Sequence, residues 1–74
     1  MVNINKLKAK MVKNGESVDD LVVKLSISRP TMYRRLKADS DSFTVRDINQ
    51  LMNVLNLTVD EMLEIFYPLI AANK

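Results

Sequence analysis

The chain contains 74 residues, with no cysteine, no histidine, one glycine and a net charge of +2 at neutral pH. This length allows one domain over residues 1–74 with a small core, and a hydrophobic content of 47% with only two prolines favours helices. The missing residue types exclude disulfides, zinc held by thiolates or histidines, and a Ser–His–Asp triad, so we expect no enzyme, metal, cofactor or small-molecule substrate.

The charges are distributed unevenly along the chain. Residues 1–37 contain nine lysines and arginines against three acidic residues, whereas residues 38–74 contain two against six. A cationic first half is typical of a chain that faces a polyanion, although solvated lysines alone give the same count. No segment approaches the ~20 apolar residues that span a bilayer, and the N-terminus lacks the pattern of a secretion signal. We therefore expect a cytoplasmic protein without a membrane contact.

Local signals predict two helices in the first third of the chain. The first spans about residues 3–14, where apolar side chains recur at three- and four-residue spacing. Gly15 follows it and can adopt the left-handed conformation that ends a helix. The second helix begins after Ser17, which we expect to be the N-cap because Asp20 follows three residues later.

A short break and a third helix come next. Ser26-Ile27-Ser28 interrupts the helical pattern because serines compete with the helix for backbone hydrogen bonds. Ser28 can cap a new helix that carries Pro30 in its first turn, where a missing N–H costs nothing. This third helix is expected to end near Lys37.

The second half of the chain predicts a polar loop over residues 38–42 and two further helices. Each of these helices begins with a capping box: Thr44 with Asp47, and Thr58 with Glu61. Pro68 should end or kink the fifth helix near residues 66–67. The apolar side chains that we expect to pack inside the resulting bundle are Ile4, Leu7, Met11, Val12, Leu21, Val22, Leu25, Ile27, Met32, Leu36, Val45, Ile48, Leu51, Met52, Leu55, Val59, Met62, Leu63 and Phe66.

Residues 17–37 have the spacing of a helix-turn-helix: a helix of about eight residues, a three-residue turn and a second helix. At about 100° per residue, Met32 and Leu36 face the core together, and Arg34 lies on the opposite side. Residues 25–38 contain no acidic side chain. A polar, cationic outer face on the second helix suits the major groove, where arginine pairs with guanine and other cations hold phosphates.

The chain resembles the Cro and CI repressor family of phage and bacterial regulators, also called XRE-like, over about residues 4–66. The matching stretches are Ser17–Leu21 at the entry to the first motif helix, Lys24–Arg29 at the turn, Thr31–Arg34 in the recognition helix, and residues 44–48 and 55–63 in the closing helix pair. The resemblance implies an all-α bundle of about five short helices with a lambda-repressor-like helix-turn-helix. The sequence departs from the family pattern at three positions. The family usually has alanine in place of Val22 and glycine in place of Ser26. Leu36 follows Met32 by four residues, whereas the family more often spaces this apolar pair by three.

The resemblance also implies a function and a location. We expect a sequence-specific regulator of transcription, a repressor or a Cro-like protein of phage or prophage origin, that binds double-stranded operator DNA in a bacterial host cell. A single recognition helix gains affinity on a two-fold symmetric operator by dimerising, so we also expect a homodimer on DNA.

The motif supplies the candidate site residues. We assign base readout to Arg29, Thr31, Tyr33 and Arg34, and phosphate contacts to Ser28, Arg35, Lys37 and, as the resemblance implies, Ser17. Each has a structural alternative, since the serines are caps, Tyr33 can cover the edge of the core, and the cations can be solvated.

The last residues of the chain are the second region of interest. The tail at residues 67–74 and the residue before it contain more apolar side chains than a short helix needs to close a small core. The candidates for a dimer interface are therefore Phe66, Tyr67, Leu69 and Ile70. The alternative is that they cover the base of the bundle. A rival function follows from the same residues: an antirepressor or modulator that keeps this fold and docks on another phage regulator.

Overall fold

A computed structural model describes residues 1–37 and 42–73, and within these residues the regular secondary structure is all helix. Its helices, in chain order, are α1 Ile4–Lys13, α2 Val18–Leu25, α3 Arg29–Arg35, α4 Val45–Val54, α5 Val59–Phe66 and α6 Pro68–Ala72. The predicted all-α class and the helix-turn-helix order are confirmed. Most of the predicted polar loop, residues 38–41, lies outside the described residues.

The predicted N-caps explain where the helices begin. Ser17, Thr44 and Thr58 each accept a hydrogen bond from the backbone N–H three residues later. In all three the acidic side chain at that position accepts from the N–H of the cap residue in return. Each box satisfies two of the four donors that a helix start leaves open.

The core lies where α1, α2, α4 and α5 meet, with the inner face of α3 against it. Its fully buried side chains are Leu7, Leu21, Leu25, Met32, Leu51, Leu55 and Ile65. The expectation that Val12, Val45 and Val59 pack inside is wrong, because each is more than 60% exposed. Val12 lies about 100° around α1 from buried Met11. Val45 and Val59 are first helical residues, placed before their helices run along the core.

The structure adds a sixth helix to the five that the sequence predicts. Pro68 does interrupt the chain after α5, as predicted, but it then stands in the first turn of α6. This helix is five residues long, lacks a side-chain cap at its N-terminus and contains no buried residue. It packs on α5 and leaves Leu69 78% and Ile70 56% exposed. No helix within the described ranges is both long and apolar enough to cross a membrane.

Candidate nucleic-acid interface

The helix-turn-helix has the lengths that the sequence predicts, and its turn depends on Ser26. α2 ends at Leu25, and Ser26 follows in the left-handed conformation with φ of 55° and ψ of 46°. Its N–H bonds to the carbonyl oxygen of Val23 at 3.2 Å, and the N–H of Ile27 bonds to that of Val22 at 3.2 Å. These bonds close the end of α2 and reverse the chain into α3, although serine occupies a conformation that favours glycine.

Ser28 starts the recognition helix α3. Its hydroxyl oxygen accepts from the N–H of Thr31 at 3.3 Å and donates to the Thr31 hydroxyl at 2.8 Å. Pro30 stands in the first turn, where its missing N–H leaves no carbonyl unpaired. The two hydroxyl groups assigned to DNA at this end of α3 therefore already bind each other.

The two sides of α3 differ as predicted. Met32 is fully buried and Leu36 is 6% exposed, so both belong to the core. On the other side Tyr33 is 53% exposed, and Arg34 and Lys37 are also exposed. These outward side chains end in a hydroxyl group or a positive charge, and packing in the core fixes the inner side of α3.

The assigned cations of the motif fall into three environments. Arg34 and Lys37 make no ion pair within the described residues. Arg29 lies 2.8 Å from Asp19 of α2, and both side chains are more than half exposed. Arg35 points away from the outer face, and its guanidinium Nη1 lies 2.6 Å from a carboxylate oxygen of buried Asp47. The structure thus brings Arg29 and Arg34 to the surface and directs Arg35 between α3 and α4.

Three lysines of the first half, which the charge distribution alone leaves available to a polyanion, form ion pairs within the chain. Lys6 and Lys10 of α1 pair with Glu64 and Glu61 of α5, and the Lys24 ammonium group lies 2.5 and 2.6 Å from the two oxygens of Glu16. Together with Arg29 and Arg35, five of the nine cations in residues 1–37 have an acidic partner. The cationic character of the first half is therefore concentrated in fewer side chains than its sequence suggests.

Of the acidic side chains that the structure describes, two have shifted pKa values, and both belong to capping boxes. The hydrogen bond from Lys10, with that from the backbone N–H of Thr58, lowers the pKa of Glu61 to about 2. The N–H and hydroxyl of Ser17 lower the pKa of Asp20. Both carboxylates stabilise helix starts in their charged form. Among the described residues, no group of three or more acidic side chains is placed to hold a metal ion.

The four dimer candidates at the other end of the molecule separate into two kinds. Phe66 is only 6% exposed and packs edge to face on Phe43, with ring centroids 5.3 Å apart. It belongs to the core of its own chain and is not available to a partner. Tyr67 is 42% exposed, and it continues into the exposed Leu69 and Ile70 of α6. The accessible part of this candidate surface is therefore residues 67–70.

Comparison with known proteins gives one family. Residues 6–66 match the model of a family described as a Cro/C1-type HTH DNA-binding domain. The matched range contains the helix-turn-helix and the helices α4 and α5 that support it. No curated protein and no solved structure matches the chain.

Proposed function

The chain belongs to the Cro/C1-type helix-turn-helix DNA-binding family, and on that premise we propose that it regulates transcription by occupying operator DNA, as a repressor or a Cro-like protein of phage or prophage origin. The single observation that carries the proposal is the orientation of α3. Met32 and Leu36 hold its inner side in the core, and Arg34 is exposed and has no acidic partner among the described residues. With its side chains an α-helix is about 10–12 Å in diameter, which fits the major groove, about 12 Å wide.

Arg34 is the proposed principal base reader. Its fork of donors matches the two acceptors that guanine presents in the major groove, and within the described residues it has no ion pair that must first be broken. Tyr33, Thr31 and Arg29 flank it along α3, and Arg29 exchanges Asp19 for DNA at little cost because that pair is exposed.

Phosphate contacts position the motif on the duplex. Lys37, beyond the end of α3, is exposed and unpaired among the described residues. Ser17 and Ser28 stand at the starts of α2 and α3, where free backbone N–H groups and the helix dipole favour an anion. These contacts carry affinity and its salt dependence, whereas the α3 face carries discrimination between sequences.

We propose that two copies bind a two-fold symmetric operator through contacts of Tyr67, Leu69 and Ile70. The support is the exposure of these adjacent apolar side chains, which water solvates poorly. The same observation favours the second candidate function, in which α6 docks this fold on a different regulatory protein.

The test of the proposed function is the variant Arg34→Ala. We expect it to lose about 1–3 kcal/mol of binding to DNA from upstream of its own gene, measured by fluorescence anisotropy, because one bidentate base contact disappears. Lys8→Ala is the matched control, since Lys8 is an exposed cation of α1 outside the proposed interface. Equal affinities for parent and Arg34→Ala would show that α3 does not read this DNA through Arg34.

A further inference from the structure

We infer that Arg35 is a positioning residue: through Asp47 it ties the C-terminal end of the recognition helix to α4 and so sets the orientation of Arg34 toward DNA. The inference rests on the proposed function, because it assumes that α3 meets DNA. It replaces the phosphate contact that the sequence alone assigns to Arg35.

The acceptor in this pair is itself held rigidly. Asp47 is 4% exposed, and its Oδ2 atom lies 2.6 Å from Nη1 of Arg35 and accepts a hydrogen bond from the N–H of Thr44 at 3.0 Å. The hydroxyl of Thr44 accepts in return from the N–H of Asp47 at 3.1 Å. The carboxylate is thus fixed in the capping box of α4, and a guanidinium that binds it is tied to the start of that helix.

The two ends of α3 are attached differently. Among the described residues, α3 packs closely on α2, and its side chains make one ion pair to another helix at each end. At the start, Arg29 and Asp19 are 58% and 64% exposed, and such pairs contribute little. At the end, the Arg35 and Asp47 side chains are only 14% and 5% exposed. The buried pair is therefore the polar contact that restrains the last turn of α3.

The geometry of the pair favours a role in orientation over one in stability. The Nε and Nη1 groups of Arg35 are buried, and neither has a partner in hydrogen-bonding geometry. A buried ion pair with incomplete hydrogen bonding generally stabilises a fold no more than an apolar residue of similar volume. An apolar residue would have no single preferred position relative to Asp47. That fixed position is what the neighbouring Arg34 needs if its side chain is to meet a base edge.

The experiment compares Arg35→Met, the double variant Arg35→Met/Asp47→Asn, and Lys37→Met. Asp47→Asn keeps an oxygen for the capping box while removing the buried charge. For each protein three quantities are measured: the melting temperature, the ratio of affinities for a duplex selected by the parent from a random pool and for a scrambled duplex, and the salt dependence of binding to the scrambled duplex.

We expect Arg35→Met to lower the melting temperature by roughly 10 °C or more, since it leaves Asp47 charged and buried. The double variant should recover most of that loss. In both, the affinity ratio should fall at least about tenfold, as for one lost base contact, with the salt slope unchanged. Lys37→Met should leave the melting temperature and the ratio near the parental values and reduce the slope by about 0.9.

Three results would overturn the inference. A salt slope that falls by about 0.9 in Arg35→Met would make Arg35 a phosphate contact. An affinity ratio that returns together with the melting temperature in the double variant would make the pair merely structural. A parent chain that bound neither duplex would reject the proposed function and the inference with it, whereas the first two results reject the inference alone.

Discussion

The helices α3 and α6 are both short and both have a proline in their first turn, yet they present opposite kinds of surface. α3 has a side-chain cap from Ser28, a buried Met32, and an outer face that includes Arg34. α6 has no side-chain cap at its N-terminus and no buried residue, and its outer face is Leu69 and Ile70. Because a buried side chain fixes α3 on the core, this helix can hold a charged face toward DNA. α6 has no buried side chain, and its exposed apolar face would be removed from water if a partner covered it.

The largest expected effect tests the claim that only α3 is fixed by the core. We expect Met32→Ala to lower the free energy of unfolding by about 2–5 kcal/mol, because it opens a cavity at a fully buried position. Ile70→Ala on α6 should change it by less than about 0.5 kcal/mol, since that side chain is 56% exposed. Urea denaturation measures both, and similar losses would remove the distinction between the two helices.

The next effect concerns the partner of α6. We expect Leu69→Asp to abolish dimer formation on DNA while leaving the unfolding free energy within about 0.5 kcal/mol of the parent, because Leu69 is 78% exposed. Sedimentation with an operator duplex measures the assembly. Val12→Asp, at an exposed valine of α1, is the matched control. A dimer that survives Leu69→Asp would place the contact elsewhere.

A smaller effect, an increase in the unfolding free energy, is expected at Ser26 in the turn between α2 and α3. Ser26 has a φ of 55°, so Ser26→Gly should raise the unfolding free energy by about 0.5–1 kcal/mol by relieving left-handed strain. Asn56, with a φ of 52°, offers a control, because asparagine tolerates this conformation and Asn56→Gly should gain less. If Ser26→Gly destabilised the protein, the backbone at the turn would not be strained.

The smallest expected effect concerns Glu61, whose ion pair with Lys10 joins α5 to α1. Because the folded-state pKa of Glu61 is about 2, below its usual 4.5, its contribution to stability is complete above pH 4.5 and is lost as the pH falls toward 2. Glu61→Gln should therefore flatten the decline of stability across that interval, as followed by circular dichroism in acid titrations. An unchanged acid titration would contradict the pairing of Glu61 with Lys10 and Thr58.

The sequence predicts most of the fold because its strongest signals are local. The caps at Ser17 and Thr44 need only residues three positions apart, and the burial of Met32 and Leu36 follows from helical spacing. The helix α6 gives no such signal, because it is five residues long and has no side-chain cap at its N-terminus. Short apolar segments of that kind are ordered by packing on a neighbour, which here is α5.

The site is less predictable, because the availability of a cation depends on contacts far apart in sequence. Arg34 and Arg35 are adjacent and chemically identical, yet only Arg35 reaches Asp47, 12 positions later. In the same way Lys6 and Lys10 are paired by α5, over 50 residues away in the chain. A capping-box acid can also be an ion-pair partner, but the sequence pattern does not say which cation it will bind.

The most direct test of the central claim, that the α3 face binds operator DNA, is a titration of DNA from upstream of its own gene at two salt concentrations. We expect binding that is tighter than to a scrambled duplex and that weakens steeply as salt rises, because the protein's cations displace counterions from phosphates. Absence of binding at low salt would contradict the account and turn attention to a protein partner at residues 67–70.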